Sequence, residues 1–73
     1  MPKTVSGKEL VSFLTKKGFR IYSQKGSHLK LISAERNTKT IVPLHESISK
    51  PTFHAILKQT KLTEEEIREL TES

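Results

Sequence analysis

The chain has 73 residues, with no cysteine, no aspartate, only three glycines and no long apolar run. Without cysteine there is no disulfide framework and no thiol nucleophile, which fits a reducing compartment. Three isolated glycines make neither a P-loop nor a dinucleotide fingerprint, so nucleotide hydrolysis and redox catalysis drop out. No stretch approaches the roughly 18 apolar residues of a membrane span, and the N-terminus lacks a signal peptide's hydrophobic region. A cytoplasmic location without membrane attachment is expected. Metal chemistry is poorly supported, because His28 and His45 have no cysteine or aspartate beside them and H-E-x-x-H spacing does not occur. Neither a metal nor a small-molecule cofactor is expected.

Carboxylates are also scarce outside the tail. Residues 1–61 hold twelve Lys or Arg against Glu9, Glu35 and Glu46, a net of +9, whereas residues 62–73 hold Arg68 against five glutamates, a net of −4. A basic body of this density favours polyanions, because each phosphate contact releases condensed counterions. Excess lysine also serves solubility alone, so charge by itself does not assign a partner. The length fits one domain over residues 1–73. A chain this short buries only about 60% of its unfolded surface, which disfavours a deep cavity and favours chemistry on an open face against a large substrate.

Ser6 and Glu9 form a capping box ahead of Leu10, Phe13 and Leu14 at i, i+3 and i+4, predicting a helix over 7–17 that stops at Gly18. Three β-like runs follow: Phe19–Gln24, His28–Ser33 and Thr38–Pro43. Lys25-Gly26-Ser27 and Ala34-Glu35-Arg36-Asn37 separate them, and such short connections predict an antiparallel meander. Pro51 fits the first position of a second helix with the stripe Phe53, Ile56 and Leu57, ending near Lys61. Thr63 and Glu66 form another capping box that opens a short acidic C-terminal helix, with Ile67 and Leu70 facing the body. The expected fold is α+β in the order α-β-β-β-α: a three-stranded antiparallel sheet with both main helices on one face, as in double-stranded-RNA-binding domains.

Period-two alternation puts Phe19, Ile21, Leu29 and Leu31 toward the helices and Arg20, Tyr22, His28 and Lys30 on the free face. His28, beside the glycine turn, is the principal candidate for proton transfer near neutral pH. At Gly26 and Ser27 the backbone can approach a phosphate closely. His45, after Val42-Pro43-Leu44, ends the third strand and either reaches the same surface or orients it. His54, near Lys50 and Lys58 on the second helix, reads as a solvent-facing residue. One reaction suits a single histidine on a cationic surface: attack of an RNA 2′-hydroxyl on the adjacent phosphorus. Imidazole takes the proton, and Arg20, Lys25 and Lys30 are candidate phosphate contacts.

Ser6-Gly7-Lys8-Glu9, Lys17-Gly18-Phe19, Gln24-Lys25-Gly26-Ser27-His28, Val42-Pro43-Leu44-His45, and Thr52 with Ile56-Leu57-Lys58-Gln59 are collinear and cover about residues 5–62. In these stretches the chain resembles the HicA family of toxins. The resemblance implies a double-stranded-RNA-binding-like fold and ribosome-independent cleavage of mRNA that inhibits translation, with His28 as the catalytic residue, and the residues themselves call for no metal in that cleavage. Arg20, Lys25, Gly26, Ser27, Lys30 and His45 are then expected at the RNA. It also implies a HicB-type antitoxin protein covering the His28 surface. Pro51 departs from the family pattern, in which glycine commonly precedes the threonine of the second helix. Two other readings stay open: a non-catalytic RNA-binding module using the same face, and a protein-interaction domain that docks an acidic partner.

Overall fold

The computed structural model of the chain describes residues 4–72, so residues 1–3 and 73 of the domain expected over 1–73 lie outside the described residues. The elements are α1 (Gly7–Lys16), β1 (Arg20–Lys25), β2 (His28–Ser33), β3 (Thr38–Pro43), α2 (Lys50–Thr60) and α3 (Glu64–Thr71). The three strands form one antiparallel sheet in the order β1-β2-β3. The expected α+β order is thus present, with boundaries displaced by about a residue.

Both capping boxes form. Ser6 Oγ accepts the Glu9 N–H and Glu9 returns the bond to the Ser6 N–H, while Thr63 and Glu66 repeat the exchange at α3. Helix α2 starts one residue earlier than expected, with Ser49 as N-cap, so Pro51 occupies the second helical position. Proline is tolerated there because that N–H is among the four without an intrahelical partner.

Leu10 and Leu14 of α1 and Ile56 of α2 meet Leu29, Leu31 and Val42 of the sheet, and Val5, Phe19, Ile48 and Leu70 complete the buried cluster. Each such side chain contributes roughly 1.5–3 kcal/mol relative to exposure. On the other sheet face Arg20, Lys25, His28, Ile32, Lys39 and Ile41 are exposed.

Gly7 locks the start of α1 against the end of β3. Its N–H donates to the His45 carbonyl at 2.8 Å, and a Cβ placed on it would lie 2.2 Å from the Pro43 carbonyl oxygen. The segment that holds His45 is thereby fixed by the first residue of α1. A second tie, from the Leu44 N–H to the Ser27 carbonyl at 2.6 Å, joins the same segment to the β1–β2 turn.

The first hairpin differs from its expected register in an instructive way. Its turn is two residues, Gly26-Ser27, so Lys25 pairs with His28 and Gln24 with Leu29. Gly26 alone has positive φ there (+61°), the pattern of a type II′ reversal, and the space beside its Cα is open. A bulge then absorbs one residue at Tyr22, after which Arg20 pairs with Ile32 and Ile21 with Leu31. The bulge supplies the residue that a three-residue loop would have used. Arg20 and Lys30 therefore reach the expected face by a different route, and Lys25 leaves the loop to become the direct neighbour of His28. Ile21 lies across from Leu31 but on an edge strand, and at 49% exposure it stays outside the core that Phe19 joins.

Candidate nucleic-acid interface

Register and alternation assemble the open face from three strands. His28, Lys30 and Ile32 come from β2, Arg20, Ser23 and Lys25 from β1, and Lys39 and Ile41 from β3, whose last residue Pro43 pairs with His28 but is itself buried. His28 stands at the corner, exposed, between Lys25 on one side and Pro43 on the other. Directly opposed residues hold their Cβ atoms about 4.5–5.5 Å apart, which keeps the Lys25 ammonium within reach of anything bound at the imidazole. Among the described residues the His28 side chain has no hydrogen-bond or ion-pair partner. Both ring nitrogens are free to meet a ligand.

Gly26 and Ser27 form the turn beside it, exposed, with the open side of Gly26 toward solvent. His45 is exposed in the loop after β3 and is held through its backbone by Gly7 rather than by its ring. His54 lies on α2 with its ring 6.3 Å from that of Phe53 and remains a surface residue.

Electrostatics separate this face from the rest of the molecule. Among the described residues the ion pairs are Lys17–Glu66, Lys17–Glu69 and Arg36–Glu66, all on the side where α3 docks. Arg36 grips Glu66 bidentately, at 3.1 and 2.7 Å, and also donates to the Lys61 carbonyl at 3.2 Å. The Arg36 hydrogen bond, helped by the Thr63 N–H, holds the Glu66 carboxyl down at about 2, while Glu66 raises Arg36 and Glu69 raises Lys17. Arg20, Lys25, Lys30 and Lys39 enter none of these pairs. Two of the five tail glutamates, Glu66 and Glu69, are thus engaged beneath α3, and among the described residues no ion pair reaches the cations of the open face.

Beside α2 the open face deepens into a groove of about 650 Å³, bounded by Tyr22, Lys30, Lys39, Ile41, Thr52 and Gln59 among others. Alternation along β3 puts Lys39 and Ile41 on the Lys30 side, a signal that sequence reasoning missed because it assigned faces only to the first hairpin. Tyr22, Ile32 and Ile41 are 51, 42 and 47% exposed, so the cations are interleaved with apolar side chains. Among the described residues no group of three or more His, Cys, Asp or Glu is placed to hold a metal ion, and no helix is long and apolar enough to cross a membrane.

No curated protein matches the chain in sequence. A family model described as HicA toxin of bacterial toxin-antitoxin matches residues 7–62, from the first residue of α1 to just beyond the end of α2. That span takes in the hairpin corner, the open face and the groove, and the chain belongs to the HicA toxin family.

Proposed function

We propose that this toxin is an mRNA endonuclease in which His28 moves the proton of a substrate 2′-hydroxyl. The 2′-oxygen attacks the adjacent phosphorus as imidazole accepts its proton; the bond to the 5′-oxygen breaks, and that oxygen leaves as a hydroxyl after taking up a proton. A cyclic phosphate and a 5′-hydroxyl end result. Lys25, Lys30 and Arg20 offset charge on the phosphate oxygens, and the Gly26-Ser27 turn with His45 borders the strand. The observation that carries this reading is an exposed, unpartnered imidazole directly beside Lys25 on a cationic face without compensating carboxylates. General-base assistance supplies about 10²–10⁴-fold, with alignment adding more.

The partner follows from the same surface. Exposed Tyr22, Ile32 and Ile41 among lysines suit an acidic protein with an apolar patch, and a HicB-type antitoxin seated there would cover His28 and exclude RNA in the cytoplasm. The test is incubation of the purified protein with mRNA in excess EDTA, with His28→Ala alongside. Cleavage by wild type to cyclic-phosphate ends, lost in the variant, is the expected result. Equal cleavage by the variant removes His28 from the chemistry, and salt-sensitive binding without any cleavage returns the chain to the RNA-binding-module reading.

A further inference from the structure

We propose that the open face takes RNA only where the strand is unpaired, and that Tyr22, set out by the bulge in β1, is the residue on which a base stacks. The inference rests on the reading of the open face as an RNA surface and says which part of a messenger that surface can hold.

The fold by itself points the other way. Double-stranded-RNA-binding domains read duplexes mostly by shape, through phosphates and 2′-hydroxyls, and for that a cationic face is enough. This face carries more. Tyr22, Ile32 and Ile41 are half exposed among Arg20, Lys30 and Lys39. A duplex keeps its bases stacked on one another and offers these side chains nothing apolar to bury against, whereas an unpaired strand offers the faces of the bases themselves.

Placement singles out the tyrosine. Tyr22 is the extra residue between Ile21 and Ser23, which pair with Leu31 and Lys30, and it borders the groove together with Lys30 and Ile41. The bulge thus adds an aromatic ring to a face whose neighbouring regular positions hold a serine and cations. Lys30 in turn lies two residues beyond His28 on the same face, about 7 Å along β2. A base stacked at Tyr22 then lies near the phosphodiester that meets His28, with Lys30 at hand for a phosphate. The proposed chemistry makes the same demand of the substrate. Attack by the 2′-oxygen needs that oxygen in line with the bond to the departing 5′-oxygen, an arrangement that an A-form helix does not hold and a free strand can reach.

The experiment measures, by fluorescence anisotropy, binding of the wild-type protein to a 2′-O-methyl RNA strand, which cannot be cleaved by 2′-hydroxyl attack, alone and annealed to its 2′-O-methyl complement. Charge alone favours the duplex, whose phosphates are denser. About tenfold tighter binding of the single strand is expected instead, an advantage lost in Tyr22→Ala and kept in Tyr22→Phe, with duplex affinity the same in all three proteins. Ile41→Ala, away from the bulge, lowers single-strand affinity severalfold. Equal or tighter binding of the duplex by the wild type overturns the proposal. A single-strand affinity untouched by both alanine substitutions also overturns it and leaves these side chains to a protein partner, and binding to neither form sinks it together with the RNA reading of the face. In a transcript with one stem and one loop, His28-dependent cuts are expected in the loop. Cuts as frequent in the stem sink this inference alone, and single-strand preference without any cleavage sinks the endonuclease reading alone.

Discussion

Lys17 and Arg36, beneath α3, and Arg20, Lys25, Lys30 and Lys39, on the open sheet face, are all cations of one small basic chain, yet their surroundings are opposite. The first two are engaged by Glu66 and Glu69 of the C-terminal helix, while the other four lie on the open face and enter no ion pair among the described residues. The difference teaches where to look for function: charge balanced inside the fold fastens elements together, and charge left unbalanced on a face is available to a ligand. It also explains why the formal total of +5 understates the surface that RNA would meet.

The comparison breaks first at His28. Alanine there is expected to lower the cleavage rate at least about 100-fold while leaving thermal unfolding unchanged, because the exposed imidazole makes no hydrogen bond or ion pair among the described residues. Parallel loss of Tm and activity would show that the corner is structural. Next comes Gly7→Ala, outside both cation groups, which forces a methyl group onto the Pro43 carbonyl. A loss of about 1–3 kcal/mol in denaturant unfolding is expected, since the obstruction is backbone and cannot rotate away.

Arg36→Ala probes the fastened side and should cost about 1.5–3 kcal/mol, with RNA affinity little altered. Its acid signature has a definite sign. The folded state holds Glu66 near 2, below its ordinary 4.5, so this contribution is complete above about 4.5 and is lost as pH falls toward 2. Stability of wild type measured across that window should therefore drop more steeply than that of Arg36→Ala. The smallest effect is at single cations of the open face. Lys30→Ala or Lys39→Ala should each reduce the slope of log affinity against log salt by about 0.7 for single-stranded RNA, with no change in unfolding.

Local signals in the sequence reached far. Two capping boxes, a β-like meander and the stripe Phe53, Ile56 and Leu57 suffice for the element order, because each is set within a few residues. What escaped depends on distance or on a break in periodicity. Arg36 and Glu66 lie thirty residues apart, and nothing in either's neighbourhood announces the pair. The bulge at Tyr22 has no composition signal, and although alternation sets Ile21 across from Leu31 as expected, it does not show that an edge position leaves Ile21 half exposed. At the candidate site the free-face placement of His28, Lys30 and Arg20 was legible from period two, whereas the groove was not, since it needs α2 brought beside β3. Gly7 read only as part of a capping-box stretch. Its contact with Pro43 belongs to the tertiary structure.

The surplus residue of the first hairpin sits at Tyr22, four positions from the reversal, which leaves the reversal itself with just two residues and few conformations to explore. A longer loop would let the imidazole wander and would charge each encounter with the cost of bringing it to rest. Here that ordering is completed during folding, so in the proposed cleavage a ribose would meet an imidazole already in place, and the rate would owe part of its magnitude to a kink half a strand away.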